Sequence, residues 1–335
     1  MSRYYDLTLT NPKTGAVIKR WSSMPGGSYD PAALNIMFDM PVSVGDLPTG
    51  QHSIIVEGVS LQDLTNAQQY ATTINGDGTL SGGANLTLKG GMQAGLPLAN
   101  PAQAGTLVNG AVFQSWGNWI GTDMALSFLV VPPAFRYNAP GNIVFNWQPG
   151  QKLSDAITQT LSTAYPQAPL KIEISPQLVA ARPDIGYFST FSQFAQHLKQ
   201  LTQGLLNASY AGVRMTYSTS TIRVFDGTQP TPIALLKFTD FVGQPTWIAQ
   251  DKIQVKTVLR GDIQVGDFIE FPIGFQNAPG FVQTGQASYP TFYKYQSAIQ
   301  GKFAVIQVRH VGNFRDPDGN AWVSIFNCVP AASAN

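Results

Sequence analysis

Short runs in which apolar and polar residues alternate constrain the fold of this chain more than any other sequence feature. From Leu34 to Val42 every second residue is apolar, as in a strand with one buried and one wet face. Residues 4–10 alternate in the same way, and the Asn-Pro-Lys-Thr-Gly segment at 11–15 supplies the turn of a hairpin whose second strand is 16–21. The sequence therefore predicts a mainly β protein.

A second group of alternating runs lies near the end of the chain. The run GDIQVGDFIEF at 261–271 precedes two strand-like segments, FAVIQVRHVGNF and AWVSIFNCV, which the turn sequence RDPDGN joins into a hairpin. We expect the strand at 253–257 to pair with the strand at 269–273 across the turn near 261–266. This region is predicted to form a second β module.

A segment of a different kind separates the two β regions. Apolar residues recur at helical spacing in 153–161 and in 191–205, and Thr190 with Gln193 can form a capping box before the second helix. Short alternating runs at 170–174, 213–217 and 221–225 predict strands beside these helices. The segment is therefore predicted to be a small α+β insert.

Proline-rich junctions divide the chain into three domains. Pro132-Pro133 and Pro140-Gly141 bracket the first junction, and Gln229-Pro230-Thr231-Pro232 marks the second, because proline disfavours the interior of helices and central strands. We predict a first β domain at 1–138, with one short helix that starts after Ser60. The α+β insert then covers 139–230 and the second β domain covers 231–335, so two separate β domains flank a small α+β domain.

The composition is poor in charge. Only 12% of the residues are charged while 44% are hydrophobic, and 20 basic residues nearly balance 19 acidic ones to give a net charge of +1. Such a chain has no strong field to hold nucleic acid or anionic lipid. Low charge suits a surface largely covered in an oligomer, although a secreted β protein with a Ser, Thr, Asn and Gln surface has the same composition.

Neither targeting signals nor disulfides are expected. The first residues, MSRYYDLTLT, do not resemble a signal peptide, and the longest apolar stretch, at 124–131, is far shorter than the roughly 20 residues that span a bilayer. The single cysteine, Cys328, cannot form a disulfide within its own chain. We therefore expect synthesis in a reducing cytoplasm and no membrane span.

Residues with catalytic or metal-binding chemistry are scattered. The histidines at 52, 197 and 310 show no metal-ligand spacing, and the glycines between 75 and 95 lack a phosphate-binding pattern, which favours turns. Asp316, Asp318 and Asn320 imitate the first half of a calcium loop, but Asn327 stands where the bidentate glutamate belongs. We predict no catalytic, cofactor-binding or metal site, no cofactor, and a protein that is not an enzyme.

Aromatic residues supply the candidate contact sites. Tyr289, Phe292, Tyr293 and Tyr295 follow a long loop that is poor in charge, and we predict that they form a subunit interface, with core packing as the alternative. Trp116 and Trp119, in the sequence QSWGNW, are predicted to pack in a core, with a subunit contact as the alternative.

The second β region resembles the baseplate central hub proteins of contractile-tailed bacteriophages. The similarity is clearest in 241–329, which includes Gly243-Gln244-Pro245, Val265-Gly266-Asp267, and His310 with Trp322. It is weaker but consistent in 34–131 and in the helix at 151–164.

The resemblance implies a structural virion protein of the viral tail. Its family members carry two tube-like β-barrel or sandwich domains per subunit, so that a homotrimer presents six similar domains around an axial channel. The implied partners are a hexameric tail tube or tube-initiator ring, a trimeric central spike, other baseplate proteins, and DNA that passes through without specific binding. The implied location is the tail baseplate, assembled in the host cytoplasm. Alternatives are a hexameric tail tube or tube-initiator protein and a carbohydrate-binding or cell-wall-degrading virion component.

Overall fold

The computed structural model describes residues 3–45, 52–78, 80–92, 100–132, 142–218, 221–229, 233–272 and 301–331. Within these residues the first β region shows nine strands and one short α-helix. They are β1 (Arg3–Thr10), β2 (Val17–Ser22), β3 (Asn35–Ser43), β4 (His52–Glu57), α1 (Leu61–Thr65), β5 (Thr72–Ile74), β6 (Leu80–Gly82), β7 (Asn85–Met92), β8 (Gly105–Ile120) and β9 (Asp123–Val131).

The insert and the second β region complete the element order. The insert contains β10 (Ile143–Trp147), α2 (Leu153–Ala164), β11 (Leu170–Glu173), β12 (Asp184–Phe188), α3 (Phe191–Thr202), β13 (Arg214–Ser218) and β14 (Thr221–Phe225). The second β region contains β15 (Ile233–Leu235), β16 (Thr246–Ala249), β17 (Lys252–Val258), β18 (Phe268–Glu270), β19 (Lys302–Asn313) and β20 (Trp322–Pro330). The mainly β class with an α+β insert is confirmed.

One sheet of 13 strands joins the two β regions. Its order is β16-β17-β20-β19-β3-β4-β9-β8-β7-β1-β2, with β15 and β18 attached beside β19. The two regions meet where β3 pairs antiparallel with β19, from Ser43 opposite Gln307 to Met37 opposite Asn313. We call this pairing the seam. The sequence did not reveal this shared sheet, because a strand pattern shows which face is buried but not which strand lies alongside.

Each β region still has a core of its own on one side of the sheet. The first core includes Tyr5, Leu7 and Leu9 from β1, whose alternation is the one that the sequence predicts. The other includes Ile253 and Val255 from β17. Side chains cross between the regions, since Phe314 and Trp322 pack in the first core and Val42 and Val44 in the other. The predicted boundaries at 138 and 230 lie outside the described residues and stay predictions.

The pairing that we predicted for β17 was wrong. Ile253 lies opposite Cys328 of β20, and the other edge of β17 pairs with β16. Strand β18 instead pairs with β19 and with β15, and Ile273 lies outside the described residues. Each of these strands has the same alternation, so several partners were compatible with the sequence.

The insert forms the third core, between two small sheets and two helices. Strand β10 pairs with β12, and β11, β14 and β13 form a three-stranded sheet. Helix α3 begins at the predicted cap, where the Thr190 hydroxyl accepts a hydrogen bond from the amide of Gln193 at 3.2 Å. The Gln193 side chain accepts from the amide of Ser189 instead of that of Thr190, so the box is only half formed.

Buried contacts fix the insert to the large sheet. The Thr216 hydroxyl on β13 donates to the carbonyl of Ser43 at 2.9 Å. Arg223 on β14 donates to Glu173 at 2.8 Å and to Asp267 of the second β region at 2.7 Å, and only 6% of Arg223 is exposed. Because a guanidinium removed from water needs all its partners, these bonds favour a single orientation of the insert.

Candidate interaction surfaces

Among the described residues, neither β core covers the second face of the sheet, which we call the open face. Directly opposed residues in an antiparallel pair lie on the same face, so the registers trace it from strand to strand. One row crosses four strands: Pro41, Arg309, Ile325 and Lys256. The open face therefore continues across the seam.

Polar side chains on the open face concentrate in two zones. The first polar zone consists of Asp6, Thr8, Arg20, Thr87 and Asn109 on β1, β2, β7 and β8. The Thr87 hydroxyl donates to the Asn109 amide oxygen at 3.3 Å. Polar side chains of this zone therefore form hydrogen bonds with one another across the strands.

The second polar zone lies at the seam. It consists of Asp39, Gln254, Gln307, Arg309 and Asn327 on β3, β17, β19 and β20. The Gln254 amide donates to Asn327 at 3.1 Å, and the Asn327 amide donates to Gln307 at 2.8 Å. Between the zones, half-buried apolar residues such as Ile55 and Leu129 occupy the face.

Each polar zone holds an arginine in a two-pronged pair with an aspartate. Arg20 donates to Asp6 through Nε at 3.0 Å and through Nη2 at 2.5 Å. Arg309 donates to Asp39 in the same manner, at 2.7 Å and 2.5 Å. These hydrogen bonds raise the pKa of both arginines. The alternation of 34–42 places Asp39 on the wet face of its strand, but the partners of both aspartates depend on strand pairing and could not be read from the sequence.

The β8–β9 hairpin carries exposed apolar residues. Trp116, Trp119 and Ile120 are 44%, 61% and 75% exposed. The prediction that the two tryptophans pack in a core was wrong, because the 16 residues of β8 continue beyond the core and its last five residues are exposed. The Trp119 ring nitrogen donates to the carbonyl of Gly121 at 3.0 Å, which holds this ring against the hairpin turn.

The predicted interface aromatics cannot be placed. Tyr289, Phe292, Tyr293 and Tyr295 lie outside the described residues, so their role as a subunit interface stays a prediction. Within the described ranges, the exposed hairpin tryptophans are the aromatic pair that sequence reasoning misjudged.

Two histidines lie on either side of β3. The His52 ring nitrogen is 3.1 Å from the carbonyl of Pro41, and His310 lies opposite Met40 with its Nδ1 2.8 Å from the Ser324 hydroxyl. Burial, with a smaller contribution from the charge of His52, lowers the pKa of His310 to about 3. His310 is therefore neutral at physiological pH and acts as a packing residue.

The remaining nucleophile and ligand candidates are also structural. Cys328 is buried in β20, and burial raises the pKa of its thiol. His197 is only partly exposed and lies 2.9 Å from Asp184. In the part of the chain that the structure describes, no group of three or more His, Cys, Asp or Glu side chains could hold a metal ion.

The loop at 313–320, whose sequence imitates the first half of a calcium loop, binds an arginine instead. The backbone carbonyls of Asn313, Asp316 and Asp318 point at the guanidinium of Arg3, which donates to Asn313 at 2.7 Å and to Asp318 at 2.6 Å. The Asp318 carboxylate accepts from the amide of Asn320 at 2.9 Å. The loop therefore binds a side chain of β1 through its main chain.

Comparison with known proteins places the fold. No protein-family model matches the chain, and no curated protein matches it. Among solved structures, the 43 kDa tail protein of prophage MuSo2 from Shewanella oneidensis is similar at a TM-score of 0.50 and 8% identity, with 98% of each chain covered.

Two further solved structures have lower scores. A tail protein from Neisseria meningitidis MC58 has a TM-score of 0.47 and 9% identity, with 98% of this chain and 97% of that one covered. The E. coli c3393 protein, described as a type VI secretion component similar to T4 tail proteins gp27 and gp5, has a TM-score of 0.49 and 9% identity, with 90% of this chain and 74% of that one covered.

The chain therefore has the fold of a phage tail protein. The likeness to the prophage MuSo2 protein extends over essentially the full length of both chains. The resemblance noted from the sequence agrees with this fold at the level of a phage tail protein. In the described ranges no helix is long and apolar enough to cross a membrane.

Proposed function

We propose that this chain is a structural subunit of a phage tail baseplate hub. The observation that carries the proposal is the arrangement of two β cores side by side on one sheet, in a chain that shares the fold of the prophage MuSo2 tail protein along its length. A subunit built in this way presents two neighbouring β modules as one body, because the seam is a continuous ladder of hydrogen bonds.

Three such subunits would supply six β modules around one axis. The chains of such a closed ring are related by threefold symmetry, while its six β modules have nearly sixfold symmetry. One end can therefore match a hexameric ring and the other a trimeric partner. We therefore propose a homotrimer that joins the tail tube, or its initiator ring, to the central spike and encloses part of the axial channel. Obligate contacts of this kind bury more than about 2,000 Å² per interface.

The proposed role is assembly without catalysis or a cofactor. His310, Cys328 and Arg223 are all buried and held in packing or hydrogen-bonding roles, which supports a structural use of these groups. The proposed location is the virion tail baseplate, with assembly in the host cytoplasm. Besides the tube and the spike, other baseplate proteins would contact the outer surface.

Counting the subunits of the isolated ring tests the proposal. The purified 36.1 kDa chain, mixed with its tube-initiator and spike proteins, should form a ring of three chains by native mass spectrometry and electron microscopy. A ring of six chains would identify a tube or tube-initiator protein instead. A chain that stays monomeric at micromolar concentration with both neighbours present would refute the hub.

A second function is favoured by the exposed hairpin tryptophans. Two exposed indole rings are suited to stacking on sugars, so a carbohydrate-binding or wall-degrading virion component is the competing reading. A glycan array and a cell-wall turbidity assay distinguish the two, because the hub predicts no signal in either. Glycan binding that is lost on Trp116→Ala and Trp119→Ala would support the competing function.

A further inference from the structure

We propose that the two polar zones line the axial channel, and that Asp6 and Asp39 prevent Arg20 and Arg309 from holding the DNA that passes. This inference rests on the proposed function, because a channel exists only in the assembled ring. It assigns the polar residues of the open face to the lining of the channel, and it names a DNA duplex as the polyanion that passes them.

The chemistry of the zones suits a surface that stays wet. Their amide and hydroxyl groups are hydrogen-bonded to one another, as in the relay from Gln254 through Asn327 to Gln307. A dry interface would have to remove the remaining water from these groups, which costs about 1–3 kcal/mol for each polar group left without a partner. Apolar residues are buried at the cores on the opposite side.

The two ion pairs suit a surface that must not bind phosphate. A free arginine presents a planar fork that matches a phosphate with two hydrogen bonds. In both zones that fork is occupied by a carboxylate, and the arginine side chains remain about half exposed, at 51% each. The pairs therefore keep the arginines within reach of a polyanion while cancelling their charge.

Each of the two polar zones contains one such ion pair. Asp6 and Arg20 both belong to the first β region, whereas the second pair spans the seam, with Asp39 on β3 and Arg309 on β19. Three copies of the chain would place six such pairs on the open faces. Lys89, opposite Asp6, and Lys256 also lie on this face, so masking the two arginines lowers the number of counterions that a polyanion releases on contact, without abolishing it.

Unmasking the arginines tests the role of the carboxylates. The double variant Asp6→Asn and Asp39→Asn keeps side-chain shape but frees both guanidinium groups. We expect the affinity for a short DNA duplex, measured by fluorescence anisotropy at about 50 mM salt, to rise at least about tenfold over the wild type and to fall again as salt is raised. Adding Arg20→Gln and Arg309→Gln should abolish the gain.

A matched charge change elsewhere provides the control. Asp77→Asn with Asp155→Asn removes two exposed carboxylates from the turn between β5 and β6 and from the first turn of α2, away from the open face, and should leave DNA affinity near the wild-type value. Equal gains in the two double variants, or no gain on removing Asp6 and Asp39, would overturn the assigned role. Urea midpoints of all variants establish that each is folded.

Thiol labelling tests the placement of the zones. Because Cys328 is buried, Thr8→Cys or Gln254→Cys supplies the reactive thiol, and Ser162→Cys on α2 serves as the exposed control. A small maleimide should label positions 8 and 254 in the assembled ring as it does in the free subunit. Loss of labelling on assembly would place the zones in a dry interface and overturn the channel assignment. Failure to form any ring would refute the hub itself, while the DNA assay would still decide the role of the aspartates.

Discussion

The guanidinium of Arg3 fastens the first strand of the chain to the β19–β20 loop, and its removal should destabilise the protein strongly. Only 6% of Arg3 is exposed, and it donates to the carbonyls of Asn313, Asp316 and Asp318 while lying over the ring of Trp322 at 5.8 Å. Burial lowers the pKa of Arg3. The positive charge of the guanidinium is therefore stabilised by these contacts and not by water.

The magnitude follows from the number of charge-assisted bonds. Arg3 also donates to the carbonyl of Phe314 at 3.4 Å, and each of the four hydrogen bonds to this charged donor is worth up to about 1.5–3 kcal/mol. Part of that sum is recovered in the variant, because the cost of burying the guanidinium disappears and water can reach the half-buried carbonyls. We expect Arg3→Met, which keeps the aliphatic packing, to lower the free energy of unfolding by about 3 kcal/mol. Arg3→Lys should lose less, because an ammonium group can still reach some of the carbonyls.

Urea unfolding followed by tryptophan fluorescence measures the effect, and hydrogen exchange locates it in residues 313–318. Arg182→Met is the matched control, since Arg182 is an exposed residue of the insert and its loss should change stability by less than about 0.5 kcal/mol. A loss below about 1 kcal/mol for Arg3→Met, or the same loss in the control, would refute the reasoning.

Three other perturbations should be informative. A methyl group on Gly312 would clash with the ring of Phe38, so Gly312→Ala should lower the urea midpoint by the equivalent of about 1–3 kcal/mol. Gly319→Ala, with nothing within 4 Å, should leave it unchanged. The thiol of Cys328 should react with a thiol reagent only as fast as the protein unfolds, because burial both shields it and raises its pKa; rapid labelling of the native chain would contradict this. Folded His310 has its pKa lowered to about 3, so its contribution to stability is complete above pH 6.5 and is lost as the pH falls towards 3, by about 1.4 kcal/mol per pH unit. His310→Gln should flatten the pH dependence of the urea midpoint between pH 6.5 and 3. An unchanged slope would show that His310 is not its cause.

Much of the local structure was predictable because it depends on neighbours in sequence. The alternation in β1 and β3 places Tyr5 and Ile36 in the core, and Thr190 caps α3 as its position indicates. Such features arise from backbone geometry and from contacts within a few residues.

The arrangement of strands and surfaces was not predictable, for a physical reason. Strand β17 alternates equally well beside β18 or β20, and only the packed core selects β20. The exposure of Trp119 depends on how far β8 extends past the core, which alternation does not encode. The pairing of Asp39 with Arg309 requires the seam, and nothing near either residue in sequence announces it.

The seam imposes an order on biosynthesis. Arg309 follows Asp39 by 270 residues, so at a synthesis rate of 5–20 residues per second the ribosome delivers the partner of β3 roughly 15 to 50 s after β3 itself. During that interval one side of β3 presents bare amides and carbonyls, the kind of edge on which polypeptides aggregate. We therefore expect the nascent N-terminal half to be prone to aggregation until the seam closes.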